Sequence, residues 1–181
     1  DIPASWNFGI RTAFEDACDF VIVANNDLVF HPEAIDRLVK FGVDHPEFLL
    51  WSAAEWLDLP ILKSDPLEET ISDHPHFSCF MVNAKTVHMV GYFDENLKMG
   101  YFEDSDMHTR ILLSGNKAGK TETAKFYHYG SRTIKVDEDL FDKNKRSYED
   151  NREYVNKKWG VDFHQKVYDP PEEILKECYK Y

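Results

Sequence analysis

The sequence predicts a single α/β domain, residues 1–181, with a mostly parallel central sheet and helices on both faces. Three observations predict it. Phe20 to Ala24 (FVIVA) is a continuous apolar run, the pattern of a strand covered on both faces, as in a parallel sheet. Helical patterning precedes and follows that run. The run ends in Asn25-Asn26-Asp27, and a polar cluster at the carboxyl end of a buried strand is where open α/β sheets bind ligands.

The elements follow in order. Residues 3–17 read as a helix, with Pro3 in the first turn and Ile10, Ala13, Phe14 and Ala17 at helical spacing. After the strand at Phe20, Pro32 opens a helix carrying Ile35, Leu38 and Val39, with Gly42 as its expected end. Phe48 to Ala54 reads as a second buried strand. Residues 57–76, with Pro60, Pro66 and Pro75 among many charges, read as a loop or flap. Phe77 to Val82 is a third strand and Ala84 to Met89 a short helix. Met107, Ile111 and Leu112 share a helical face, with Gly115 as the stop. Ala124 to Tyr129 is a short last strand. Asp137 to Trp159 is a charged amphipathic helix whose apolar face is Leu140, Phe141, Tyr148, Val155 and Trp159, stopped by Gly160. Its charge run reads as a solvated face. Pro170-Pro171 sends the last segment across the surface.

Composition narrows the function. A net charge of -12 argues against nucleic acid and anionic membranes as partners, because both need a basic face. It also means that a phosphate-bearing ligand needs a metal ion or a local basic patch. Hydrophobic residues at 43% are too many for a disordered chain. Cys18, Cys79 and Cys178 form neither a CxxC spacing nor a disulfide framework, so a reducing, cytoplasmic setting is expected. No apolar run is long enough to span a bilayer. The chain begins at Asp1 without an initiator methionine, as a fragment or processed product would.

Three clusters bear chemistry. Asp27, after the first strand, can hold a hard divalent ion that keeps positions open for phosphate oxygens; an Asx turn explains the same residues. Glu103, Asp104 and Asp106 follow Tyr101 and Phe102 at the mouth of a helix. A loop-borne carboxylate held by a rigid helix suits a general base, whereas acids at a helix N-terminus also simply complement its dipole. His128 ends the last strand, with Ser131 and Arg132 beyond it. Arg132 can add a cation near phosphates. Trp51, Trp56, Tyr101 and Phe102 can stack on sugar faces, and core packing accounts for each equally well.

In series, N-x-G-I from Asn7, FVIVANND, PEAI, HFSCFMVNAKTV, GYFDENLKMGYFEDSDMHTRILLSG and YHYGS resemble the GT-A glycosyltransferases. The closest look is to the family-two, rhamnosyltransferase-like branch of bacterial and viral polysaccharide synthesis. The likeness covers Asn7 to Thr133, and the NND and GYFDE…YFEDSD blocks are its specific parts.

The resemblance implies a GT-A, Rossmann-like sheet with its N-terminal part missing or shortened. The family's first strand, with its nucleotide-binding segment, and its second, ending in an acid that reads base and ribose, have no counterpart here. It implies an inverting, metal-dependent sugar transfer from a UDP-, dTDP- or GDP-sugar to a glycan hydroxyl, with Mn²⁺ or Mg²⁺ as cofactor. Asp27 matches the last acid of the DxD-type motif, with Asn25 and Asn26 in the first two positions, leaving one strong ligand instead of two. Asp104 matches the base of the ED pair, beside Glu103. His128 matches a late histidine that completes the metal site. Ser78 and Cys79 fall where the family places small residues near the donor sugar. Arg132 joins the donor side, and Tyr101, Phe102 and Trp51 the acceptor side. Two other classes stand beside this one. A nucleotidyltransferase also uses carboxylates and a metal. A non-catalytic carbohydrate-binding module would bind sugars on such a scaffold without turnover.

Overall fold

A computed structural model describes residues 1–57, 59, 69–130 and 138–160. Its elements are α1 (Ile2–Glu15), β1 (Phe20–Ala24), β2 (Leu28–Phe30), α2 (Ala34–Asp44), β3 (Phe48–Trp56), β4 (Ile71–Ser72), β5 (Cys79–Asn83), α3 (Ala84–Val90), α4 (Glu103–Leu113), β6 (Lys117–His128) and α5 (Glu138–Trp159).

The expected mostly parallel, Rossmann-like sheet is not what forms. The strand order is β1-β5-β3-β6-β2, with β4 paired to β6. Among the described residues only β3 and β6 pair in parallel; β1–β5, β3–β5, β2–β6 and β4–β6 are antiparallel. The apolar run at Phe20 misled because a covered strand says nothing about the direction of its neighbour. Nor is it covered on both faces: β1 is an edge strand, partly exposed at Phe20 to Val23 and exposed at Ala24. The strands that are fully buried over most of their length are β3 and β5.

The sheet also rolls toward a nearly closed barrel. Its two path ends, β1 and β2, are consecutive in the chain. Laid flat, they would lie four strand spacings apart, about 19 Å. The chain from Ala24 to Leu28 reaches at most about 14 Å. The sheet therefore curls, and β6 bends to allow it. Its register on β3 jumps from Ala53↔Thr121 to Ala54↔Lys125. The first part of β6 pairs β4 and the last part pairs β2.

Alternation along β5 feeds two cores. Cys79 and Met81 join Leu38 and Phe41 of α2 on one face. Phe80 and Val82 join Ile10 of α1 with Met107 and Ile111 of α4 on the other. Gly42 does not end α2, which runs on to Asp44. The Met81 methyl occupies the place where a side chain would begin, so glycine there permits close packing on the sheet. Lys117 to Thr123, polar and interrupted by a glycine, proves to be strand, because its neighbour β3 supplies the ladder. The expected flap at residues 57–76 lies partly outside the described residues, as does the segment with Pro170-Pro171. No helix among the described residues is long and apolar enough to cross a membrane.

Candidate active site

Because β1 and β3 are each antiparallel to β5, and β6 is parallel to β3, these three strands point the same way. Their carboxyl ends supply Asn25 to Asp27, Glu55 and His128. A cleft of about 860 Å³ opens there, lined by Asn25, Asn26, Asp27 and His128 on one side and Tyr101, Glu103 and Asp104 on the other.

On the first wall, His128 Nε2 lies 3.0 Å from Asp27 Oδ1. Its Nδ1 faces Ser78 Oγ at 3.4 Å and Glu55 at 3.8 Å. Two arrangements satisfy this. With its proton on Nε2, the imidazole donates to Asp27. With its proton on Nδ1, held by Ser78 and Glu55, a lone pair faces a carboxylate oxygen and a cation belongs between them. The second is the usual setting of a metal-binding histidine, whose other nitrogen is fixed by a carboxylate or similar partner. Asp27 and His128 thus fit a divalent ion as a two-residue donor set. Among the described residues no group of three such side chains gathers, so substrate oxygens would fill the remaining positions, as is usual for Mg²⁺.

On the second wall, α4 starts at Glu103 and its N-cap, Phe102, is left-handed at φ 70°. Met99 and Tyr101 are also at positive φ, 59° and 78°. A left-handed residue other than glycine costs about 1–2 kcal/mol, so this turn needs outside support. It presents two carboxylates to the cleft. Asp104 accepts from the Ser105 backbone N–H at 2.7 Å. Glu103 is 7% exposed, and its Oε2 is buried without a hydrogen-bond partner. Burial raises the proton affinity of both carboxyls above the ordinary range, and at Glu103 the neighbouring Asp104 charge adds to it. A carboxylate so raised is a stronger base than one in water.

The support comes from α5. Buried Asn151 donates to the carbonyls of Lys98 at 2.9 Å and Gly100 at 2.8 Å, and accepts from Lys98 N–H at 2.9 Å. Ser147 donates to the Lys98 carbonyl at 2.6 Å, and Asn144 donates to the Tyr101 hydroxyl at 2.7 Å. Asp106 is fully buried and anchors the same helix, accepting from Trp159 at 3.1 Å and pairing with Lys158 at 2.6 Å and Arg110 at 3.0 Å. Asp94 does more than close its own turn. Burial opposes its ionisation, but bonds from Lys158, the Asn96 backbone and Tyr154 outweigh that and hold its carboxyl well below the usual range. Upstream, buried Asn7 of α1 brackets Phe93, donating to its carbonyl at 2.8 Å and accepting from its N–H at 2.9 Å.

The structure gathers Asn25, Asn26, Asp27, Ser78, Tyr101, Glu103, Asp104 and His128 around the cleft and its inner recess. It does not bring the other expected aromatics there. Trp51 is 1% exposed in the core, packed against Phe20 and donating to the His45 carbonyl. Phe102 is buried against Tyr148. Cys79 is also fully buried in the core, and burial pushes its thiol up to about 12. These three face inward because their strand or turn positions put them on the packed side. Trp56 stacks on the Lys125 ammonium instead, 4.8 Å from its ring centre. Ser131 and Arg132 lie outside the described residues.

Sequence reasoning missed Glu55, His76 and Trp6, which line the recess, and the Ser147–Asn151 brace. The brace had a signal: Asn144, Ser147, Tyr148, Asn151 and Val155 follow helical spacing, so the small polar residues fall on the buried stripe. No protein-family model matches this chain and no curated protein matches it.

Proposed function

We propose that the protein is a metal-dependent inverting glycosyltransferase, moving a sugar from a nucleotide diphosphate to a hydroxyl of a glycan acceptor. One observation carries this reading: Asp27 and His128 face a proton-hungry carboxylate pair, buried Glu103 and half-buried Asp104, across one cleft. The order of the NND and YFEDSD blocks along the chain supports it as well.

Sugar transfer makes two demands. The bond from the anomeric carbon to the diphosphate breaks, leaving an anion, while the bond to the acceptor oxygen forms and its proton must leave. Asp104 takes that proton, a step worth about 10²–10⁴-fold. Glu103, beside it, offers a buried oxygen to a substrate hydroxyl. A divalent ion held by Asp27 and His128 would neutralise the diphosphate charge. The described lining needs such a cation, since Asp1, Asp27, Glu103 and Asp104 outnumber Lys143. Asn25 and Asn26 offer amide donors to the donor's polar groups, and Tyr101 offers a ring face to the acceptor.

The test is a screen of UDP-, dTDP- and GDP-sugars with Mn²⁺, scored for nucleoside diphosphate release, with and without EDTA. Release that EDTA abolishes, with product inverted at the anomeric carbon, is expected. Pyrophosphate release from a nucleoside triphosphate, or retention of configuration, would overturn the reading.

A further inference from the structure

Behind the carboxylate pair the cleft continues into a recess of about 150 Å³, lined by Trp6, Asn25, Glu55, His76, Phe77, Ser78, Glu103 and Asp104. We infer that this recess holds the transferred sugar and selects an uncharged one, with Glu55 and His76 reading its hydroxyls. This rests on the transferase reading above.

Size comes first. The recess has room for about five waters, the scale of one sugar ring and too little for a disaccharide. Its chemistry is that of a polyol site. Trp6 and Phe77 offer apolar surface to ring C–H groups, and both are fixed by edge contacts in one aromatic cluster with Phe80 and Phe93. With them the lining carries both acceptors and donors. Glu103 Oε2, buried and unpartnered, needs a hydroxyl group of a ligand to satisfy it. His76 Nδ1 accepts from the Glu55 backbone N–H at 3.4 Å, so its proton sits on Nε2 as a donor. Burial, with Lys120 nearby, lowers His76 to about 4, so the ring is neutral at ordinary pH. Asn25 and Ser78 add further donors.

The selection against charge follows from the same set. Glu55, Glu103 and Asp104 line the recess, and no lysine or arginine is among the described residues that do. The carboxylate of a uronic acid would enter that field with no lysine or arginine of the described lining to receive it. A neutral hexose or deoxyhexose meets acceptors for its hydroxyls and no repulsion.

The experiment needs neither acceptor nor turnover. Saturation-transfer NMR at neutral pH compares methyl glucoside, methyl rhamnoside and methyl glucuronide on the whole protein, with Glu55→Gln as the variant and circular dichroism as the fold check. The neutral glycosides should bind and the glucuronide should be weaker by at least about tenfold, because each lost or repelled charged contact costs about that much. Glu55→Gln should weaken the neutral glycosides and narrow the gap to the glucuronide. His76→Gln, which keeps a donor, serves as second variant should Glu55→Gln fail to fold, and it should retain the discrimination. Glucuronide binding as tight as glucoside overturns the proposal. So does no glycoside binding, with or without Glu55-dependent Mn²⁺ binding, the latter marking a cation site. The two readings separate cleanly. Neutral sugar binding with no turnover of any sugar nucleotide sinks the transferase reading and leaves a recess selective for neutral sugars, and efficient transfer from a uronic acid donor sinks this one alone.

Discussion

The two walls of the cleft are built in opposite ways. Asn25 to Asp27 form a short link between β1 and β2, held mainly by backbone contacts: Asn25 N–H to the Ser78 carbonyl at 2.9 Å and Tyr129 N–H to the Asp27 carbonyl at 3.1 Å. Its side chains are open, and Asn26 is exposed. The wall carrying Glu103 and Asp104 is a left-handed turn with one buried acid and one half-buried, braced from a helix some fifty residues away. Side chains that meet a metal and a mobile substrate need access, and local turn chemistry provides it. A base whose proton affinity depends on exclusion of water needs a rigid, dry seat, and only long-range packing provides that.

The contrast is sharpest at Asn151. Asn151→Ala leaves the Lys98 N–H and the Gly100 carbonyl without their buried partner. It should cost about 3 kcal/mol in denaturant unfolding and reduce transfer as the turn relaxes. A fall below about 0.5 kcal/mol would show that the turn holds itself. Asp104→Asn should lower transfer by about 10²-fold or more while donor binding, read by calorimetry, stays near normal. Full activity in the folded variant would remove Asp104 from the role of base.

A smaller effect separates the walls by pH. A carboxyl raised in the folded state stabilises the protein at low pH. That contribution is lost as pH rises from the ordinary glutamate range through the raised value, because the unfolded chain gives up its proton first. Glu103→Gln, which cannot ionise, should therefore be more stable than the parent by about 2 kcal/mol at pH 8 and no more stable near pH 4. A gain independent of pH would argue against a desolvated acid. Asp27→Asn should change least in stability, within about 0.5 kcal/mol, since its contact with His128 is partly exposed. Its donor KM should still rise about tenfold under Mn²⁺, as expected if a charge-assisted contact is lost. A large loss of stability instead would make this wall structural.

Much of the second wall's position was legible from residue order. Glu103 opening α4, Gly115 at φ 74° just past its end and Gly160 at φ 71° closing α5 follow from local rules of capping and left-handed conformation. Asn25-Asn26-Asp27 leaving a strand is equally local. Sheet direction was not legible. The apolar pattern of Phe20 to Ala24 reports burial, and pairing is decided by which strand arrives beside it; here β5 inserts antiparallel between β1 and β3. Trp51 and Phe102 were candidates by residue type, and their places in the core were set by the faces that packing chose.

By itself, then, the order of residues determined the helix stops at Gly115 and Gly160, the strands β1, β3 and β5, and which carboxylates stand at loop mouths, because those depend on neighbours within a turn or two; it did not determine the end of α2, the strands β2 and β4, or the first half of β6. The tertiary structure alone decided that three strands deliver Asp27, Glu55 and His128 to one rim, that Asn151 seats the Glu103–Asp104 turn, and that a recess of about 150 Å³ adjoins it. These are contacts across tens of residues. Their partners are selected by shape and by the need to satisfy every buried polar group, and no local pattern encodes that.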